Sequence, residues 1–573
     1  MVALQQPRWI SRIVLFVGLV SLAGALAPDI RSHTHRIESL LPSAFPAAAT
    51  MGAAAIGAIL IVLARGLRRG KYRAWLLALV LTSLDAALLI VHGLRIGPAV
   101  VCLLFALLLA RARRNFTARP DPRSLTRVAQ TLVIGPVVAV ALGYVWQVVD
   151  RDGQVPGTTT GARLLASALG LVGISGPVTY TDDGAATRAA VGFAVLGAAV
   201  LVLTILAALQ PAGGPHPLTP DEDERIRGLL ERDGHLDSLS YFATRRDRTV
   251  IFSADQRAAV TYGVIGTTSL AVGDPIGNPA AWPDAIRAWL DEARSFGWTP
   301  AVLGASEKGA AIYHRAGLEV LELGDEAILH VADWSLEGRS MRGVRQAVAR
   351  TTRAGVTARV ARFRDLDADL ADVLVRRAEE WREGDVEQGF SMALGRFGDP
   401  LDDTTVVYAV DATGEPVGLL HFVPWGRDSL SLDLMRRSRD SENGVIELLV
   451  TKLMEQAPEL GITRVSLNFA VFRGVFARGE RLGAGPVLKL WRATLLFVSR
   501  FYQLESLYRA NAKYQPEWVP RYVAYVGPTD IPRVGTAILR AESLLVLPWP
   551  LSRFNRSGPV VGDDASGWAA DAT

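Results

Sequence analysis

The chain reads as two halves of different kind: an N-terminal multi-pass α-helical membrane domain of six spans, then a soluble α/β region built as two similar units in tandem. Three observations predict this. Half of the 573 residues are apolar and the mean hydropathy is +0.23, which is unusual for a soluble chain. The long apolar runs all lie before residue 210, and a breaker cluster, P-A-G-G-P-H-P at 211–217, follows them. After that cluster the pattern changes to short alternating strands and helical segments.

The apolar runs are residues 13–27, 45–64, 74–91, 98–110, 128–149 and 189–209. Each approaches or meets the ~20 residues that a helix needs to cross a bilayer. The first follows Arg8 and Arg12 and reads as a retained span, because further spans and no convincing cleavage segment come after it. Arg65, Arg68, Arg69, Lys71 and Arg73 lie between spans two and three, and Arg111, Arg113, Arg114, Arg119, Arg123 and Arg127 between spans four and five. The opposite loops carry only Arg31, Arg36, Arg95, Arg151, Arg163 and Arg188, so the positive-inside rule puts both termini and everything after Pro211 in the cytoplasm. Asp85 interrupts the third span and needs a partner or a cavity, whether as a structural group or as a lipid head-group contact. His92 falls at the interface.

The expected organisation is a membrane domain at 1–210, a linker at 211–218, a first α/β unit at 219–338, a basic helix with a second, catalytic unit at 339–550, and a disordered tail at 551–573. Thr219-Pro220-Asp221-Glu222 reads as a capping box with proline at the first helical position. Strands are expected at 249–253, 258–265, 269–272, 299–303 and 327–331, with helices at 282–296 and 308–316. The same grammar returns as a helix at 366–383, strands at 406–410, 418–424 and 430–434, a helix at 445–457 and a strand at 465–469. Between the units, Arg339, Arg342, Arg345, Arg350 and Arg353 fall within an arc of roughly 140° on one helix, a basic face suited to a phosphate backbone or an anionic membrane. The segment 487–501 is too charged to span and fits the cytoplasmic leaflet or a buried core equally well.

Several chemistries lack their residues. The net charge is +4, and the single Cys102 leaves no disulfide framework. No G-x-S-x-G, H-E-x-x-H or P-loop occurs. The eight histidines are scattered, and His314 and His421 read as core or edge histidines. Residues 480–485 approach a coenzyme A loop but read as an ordinary turn. What remains is the stretch 429–449, an alternating strand ending in Asp433 and Arg436, a turn at Asn443-Gly444 and an apolar helix. A carboxylate and a guanidinium beside a helix N-terminus suit an ammonium and an anion, the bland alternative being a strand-end ion pair.

L-S-L-D-L-M-R-R at 430–437, N-G-V-I-E at 443–447, G-F-S-M at 389–392 and F-Y-Q-L-E-S-L-Y-R-A-N-A-K-Y-Q-P-E-W-V-P-R-Y at 501–522 resemble the lysyl-phosphatidylglycerol synthase family, the multiple peptide resistance factors. The likeness is strongest to versions fused to a lysyl-tRNA synthetase. It implies a tandem acetyltransferase-like (GNAT-type) fold. It also implies transfer of an aminoacyl group, lysyl in the fused relatives, from aminoacyl-tRNA to the glycerol hydroxyl of phosphatidylglycerol. One ester is exchanged for another, so no cofactor, metal or ATP site is called for. The partners implied are aminoacyl-tRNA, phosphatidylglycerol and the bilayer, with a homo-oligomer left open.

On the same resemblance Asp433 would pair with an ammonium of the aminoacyl group and Arg436 with a lipid or tRNA phosphate. Lys513 and Arg521 would stabilise negative charge in the transfer step. Ser431, Asn443, Glu447 and Tyr522 would contact substrate, and Arg342, Arg345 and Arg353 would meet tRNA or another phosphate. Six spans are fewer than the family's long members use to flip the product, and no synthetase domain is expected after Pro550. The competing expectations are a peptidoglycan-precursor aminoacyltransferase of similar fold and a non-catalytic lipid-binding or transport protein.

Overall fold

The computed structural model describes residues 10–16, 18–19, 59–64, 66–67, 71–91, 96–113, 124–150, 153–208, 216–382, 389, 391–471 and 509–543. The chain divides into one unit of Met1–Ala212 with Arg294–Trp298 and another of Gly213–Ala293 with Thr299–Thr573.

The first unit contains α1 (Tyr72–Val91), α2 (Ile96–Arg111), α3 (Ser124–Val149), α4 (Thr160–Gly170) and α5 (Asp183–Ala208). Among the described residues two stretches, Val128–Val149 and Asp183–Ala208, are long and apolar enough to cross a membrane, and they coincide with the fifth and sixth expected spans. Their outward side chains are apolar: Val133, Val137 and Val195 are 67%, 65% and 62% exposed, a surface that hydrocarbon would cover without stranding a polar group. The third expected span begins as a shorter apolar helix, Tyr72–Ser83, and the fourth matches α2. The first two spans fall mainly outside the described residues, as do His92 and the side chain of Asp85. Helix α4 has no counterpart in the sequence reading, because eleven residues with polar ends give too short an apolar run to register.

The second unit opens with α6 (Pro220–Asp233), where Thr219 and Glu222 close the expected capping box. Then come β1 (Thr249–Phe252), β2 (Ala258–Ile265), β3 (Thr268–Val272), β4 (Ile276–Gly277), α7 (Trp282–Phe296), β5 (Thr299–Ala305), α8 (Glu307–Arg315) and β6 (Glu319–His330). The chain continues through α9 (Arg342–Arg353), β7 (Thr357–Arg362), α10 (Ala368–Glu380), β8 (Thr405–Val410), β9 (Pro416–Pro424), β10 (Ser429–Arg437), α11 (Val445–Gln456) and β11 (Arg464–Val471). It closes with β12 (Glu517–Tyr525) and α12 (Ile531–Ala541).

All twelve strands join one sheet, in the order β1-β2-β3-β5-β12-β6-β11-β10-β9-β8-β7 with β4 pairing β2 at the side. That order is nearly a palindrome. Parallel β3 and β5, joined through α7, match parallel β10 and β11, joined through α11. Antiparallel neighbours extend each pair outward. At the centre the halves exchange strands. The last strand of the second half, β12, pairs with β5, while β6 of the first half pairs with β11. The tandem of two similar α/β units expected from the sequence is therefore real at the level of topology. The segment around β12 had read only as a basic-aromatic stretch, because its strand character depends on neighbours 189 or more residues earlier.

Register shifts interrupt β10, β11 and β12 along neighbouring central strands. Such bulges re-aim side chains. On β10 the shift lies between Leu432 and Leu434, after which Leu434 faces His421 and Arg436 faces Leu419. Residues three apart on a regular strand point to opposite faces. Here the extra residue brings Asp433 and Arg436 to the same face.

Candidate active site

That face of the sheet carries a row of buried polar groups. Asp433 stands at the β10 bulge with its side chain 4% exposed. Its Oδ1 accepts the backbone N–H of Leu394, and its Oδ2 lies 2.6 Å from His421 Nδ1 on β9. A carboxylate acceptor sets the proton on Nδ1. His421 is 1% exposed, its ring lies edge-on to Phe397 at 4.8 Å between centroids, and its Nε2 has no hydrogen-bond partner. The histidine is buried as expected, but it belongs to a carboxylate-imidazole pair that the sequence did not reveal. Twelve residues and one bulge separate the two, and no local motif marks them.

This geometry corrects one expectation. Asp433 is not an open carboxylate: each oxygen already accepts inside the fold, so a substrate ammonium would have to share an oxygen with Leu394 or His421. Arg436, by contrast, is half-buried, and among the described residues its guanidinium reaches only the carbonyl of Met435. Ser431 is fully buried on the same strand, and its hydroxyl has no partner. The strand runs on through Arg437, three residues beyond the expected end at Leu434.

Arg521 requires a second correction. It comes from β12 and is 3% exposed; Nη1 is 2.6 Å from Asp237 and Nη2 is 2.5 Å from Glu326, while Ser238 accepts a third bond. Burial alone would lower the pKa of this guanidinium, but the carboxylates of Asp237, Glu326 and Asp274 outweigh it and hold the group above its ordinary value. Ser466 of β11 also donates to Glu326. Arg521 therefore ties the exchanged strands together and has no open side for a reacting oxygen. Its neighbour Tyr522 is half-buried on the same strand.

Lys513 lies just before β12 and meets Glu447 of α11 at 2.7 Å, the two side chains being 31% and 20% exposed. Burial first, and then the charge of Glu447, raise the pKa of neighbouring Tyr514 well above its ordinary value. Asn443 is exposed, and its carbonyl accepts from Arg350. Next to it Gly444 has φ 124°, and a Cβ there would lie 2.6 Å from Thr351 Oγ1 and 2.9 Å from Ala347 O, so only glycine lets α9 approach α11 this closely. Helix α9 buries Val344, Ala347 and Thr351 and leaves Arg342, Arg350 and Arg353 exposed. Arg345 departs from the expected phosphate-facing set, because its guanidinium bonds the Leu336 and Gly338 carbonyls of the preceding loop. Residues 472–500, which include the 480–485 turn and most of the 487–501 segment, lie outside the described residues.

Among the described residues no group of three or more His, Cys, Asp and Glu side chains could hold a metal ion. The bulged strand offers a buried carboxylate-imidazole pair and a half-buried guanidinium, and α11 separately holds a lysine-glutamate pair. Those suit binding and proton handling around an oxyanion.

Residues 4–209 match the model described as the transmembrane region of lysyl-tRNA synthetase. The chain is 46% identical over 507 residues to the lysylphosphatidylglycerol biosynthesis bifunctional protein LysX of Mycobacterium avium, covering 86% of this chain and 42% of that protein. The corresponding Mycobacterium leprae protein is 44% identical over 520 residues, covering 88% and 45%. The chain thus spans under half the length of these curated relatives. The solved structure of L-PGS from Bacillus licheniformis is 25% identical with a TM-score of 0.49, covering 56% of this chain and 96% of that one. Residues 227–525, just over half of the chain and the whole of the bulged sheet with its polar row, match the model for the C-terminal region of phosphatidylglycerol lysyltransferase, and the chain belongs to that family.

Proposed function

We propose that this protein transfers an aminoacyl group, lysyl in the first instance, from aminoacyl-tRNA to a glycerol hydroxyl of phosphatidylglycerol at the cytoplasmic leaflet. The observation that carries the reading is the β10 bulge. It sets Asp433, paired with His421, on the same face as the accessible Arg436, inside the segment that matches the lysyltransferase family. A tandem acetyltransferase-like fold on a six-span membrane half suits a donor that is soluble and an acceptor that is a lipid.

In the transfer, the glycerol oxygen attacks the ester carbonyl carbon, its proton leaves, and the resulting oxyanion collapses to expel the tRNA ribose oxygen, which takes up a proton. Arg436 is suited to a phosphate oxygen of the lipid or of the tRNA end, since a guanidinium fork matches either. Lys513, held by Glu447, supplies positive charge for the developing oxyanion. The Asp433–His421 pair fixes the floor of the site. Arg342 and Arg353 present exposed charge to the tRNA backbone. Tyr522 and Asn443 line the approach.

The test is a transfer assay with the full chain in phosphatidylglycerol bilayers and radiolabelled lysyl-tRNA. Label is expected in a lipid that is more cationic than its precursor. Absence of labelled lipid, with lysyl-tRNA intact, would overturn the proposal and favour a lipid-binding role. Label in a cell-wall precursor instead would reassign the acceptor.

A further inference from the structure

Where β10 and β11 part, the sheet presents an acceptor that the transfer reading leaves unused. Parallel pairing of the two strands ends at Ser431 and Ser466, and two residues further on lies Asn468. Its backbone is left-handed, with φ 67°, inside the register shift of β11 against β6. Asparagine tolerates that conformation better than most residues, yet it is uncommon outside glycine and clusters where function demands it. The side chain is also oriented. Nδ2 donates to the carbonyl of Leu432, the residue before Asp433, and the backbone N–H donates to Ser466 Oγ. With the amide fixed from its donor end, Oδ1 faces away from those partners and has none of its own. The hydroxyl of Ser431, on the neighbouring strand, is unpartnered as well.

The first half of the sheet supplies an internal control. Its parallel pair ends at Val272 and Leu303, and the residue two places beyond Leu303 is Ala305, fully buried and apolar. The left-handed residue there is Gly304, with φ 78°. One half uses a glycine for the conformation and an alanine for the position. The other makes an asparagine serve both and gains a fixed acceptor.

We propose that Asn468 Oδ1, together with the Ser431 hydroxyl of the neighbouring strand, is an acceptor subsite for a primary ammonium of the aminoacyl ester. This rests on the aminoacyl-transfer reading above. An amide oxygen accepts and cannot donate, so it selects an N–H or O–H group over an anion. A site that hydrogen-bonds a substrate N–H rejects analogues lacking it strongly, because its own buried acceptor is then left unpaired. Asp433 already accepts on both oxygens, whereas Asn468 Oδ1 has no partner at all.

The experiment uses the full chain in phosphatidylglycerol bilayers with three donors: lysyl-tRNA, norleucyl-tRNA, which lacks the side-chain ammonium, and 6-aminohexanoyl-tRNA, which lacks the α-ammonium. Asn468→Gly keeps the left-handed backbone and deletes the acceptor. It is expected to lower kcat/KM for lysyl-tRNA by about 100-fold, with KM for the lipid unchanged. It should cost little further for the donor lacking the contacted ammonium, which identifies the α- or side-chain group. Equal losses on all three donors, or a change confined to KM for the lipid, would overturn the assignment. If Asn468→Gly does not fold, Ser431→Ala supplies the same comparison: a loss on lysyl-tRNA and on only one of the two single-ammonium donors supports the subsite, and a uniform loss on all three sinks it. Failure of wild-type protein to label lipid at all would instead refute the transfer reading itself.

Discussion

Asp274 stands two residues beyond the last β3–β5 pair, and Asp433 two residues beyond the last β10–β11 pair. The surroundings of these topologically matched aspartates differ. Asp274 accepts from the backbone and hydroxyl of Ser306, at 2.9 and 2.5 Å, and α8 sits so close that a Cβ on Gly309 would fall 1.8 Å from its Oδ1. Tyr313 of α8 donates to Gly273 from the same side. Asp433 is held by one backbone N–H and by a histidine, and near it His421 Nε2, Ser431 Oγ and Asn468 Oδ1 remain without partners. Buried unsatisfied polar atoms destabilise a fold; Asp223 Oδ1 and Thr268 Oγ1 are unpartnered in the first half, but the three at the β9–β10–β11 junction are the ones the proposed transfer would use. The first half has closed its parallel-strand junction with a helix. In the proposed function it is the scaffold, joined to the working half through the exchanged strands and Arg521.

The severest test of that division is the joint between the halves. Arg521→Met leaves Asp237 and Glu326 buried without their cation, and should destabilise the sheet by about 3–5 kcal/mol in denaturant or thermal unfolding. A change under about 1 kcal/mol would show that the row is not what ties the strands. Next come the matched aspartates. Asp433→Asn is expected to reduce lipid aminoacylation about 100-fold, and Asp274→Asn to leave it within about 2-fold, in the same transfer assay. Equal losses would erase the distinction between working half and scaffold.

Titration separates the halves more finely. Burial first, and then the charge of Asp237, push the Asp274 carboxyl up to about 7, far above its value of 3.8 in an unfolded chain. Between those two values the native state binds the extra proton, so its stabilising effect is complete below about pH 4 and is lost as pH rises through about 7. The slope contributed should approach ~1.4 kcal/mol per pH unit at most. Unfolding measured from pH 4 to 8 should show that decline, and Asp274→Asn should flatten it. The smallest expected effect lies on the surface. Arg342→Ala should weaken tRNA binding about 3-fold and lower the slope of log K against log salt by about one. An unchanged slope would remove α9 from the nucleic-acid face.

Much of this was legible in the sequence because it is local. Periodicity located α7 and α11 within a residue or so of their ends, the Thr219 to Glu222 capping box fixed the start of α6, and the breaker at 211–217 separated two kinds of chain. The stretch 429–449 was read as the centre of the site; within it Asp433 and Arg436 share a face of β10, while Asn443 bonds Arg350 and Glu447 pairs with Lys513. The roles within it were less legible. Asp433 was read as open to substrate because alternation shows which residues share a face of a regular strand, and a bulge changes that phase without leaving a local signature. Asn468 was missed because a left-handed asparagine is a matter of backbone conformation, and S-L-N-F reads as ordinary strand.

By itself the sequence determined the two kinds of half, the tandem α/β grammar, the exposed arginine face of α9 and the short stretch that holds the site. Each of these rests on hydropathy, period or turn chemistry acting over a few residues. The tertiary structure decided that β12 crosses into the first half, that Arg521 is a buried tie, that His421 partners Asp433, and that one parallel-strand junction is closed while its counterpart keeps unpaired acceptors. Those outcomes depend on register and on contacts between residues up to 284 positions apart. Local propensity carries no record of them.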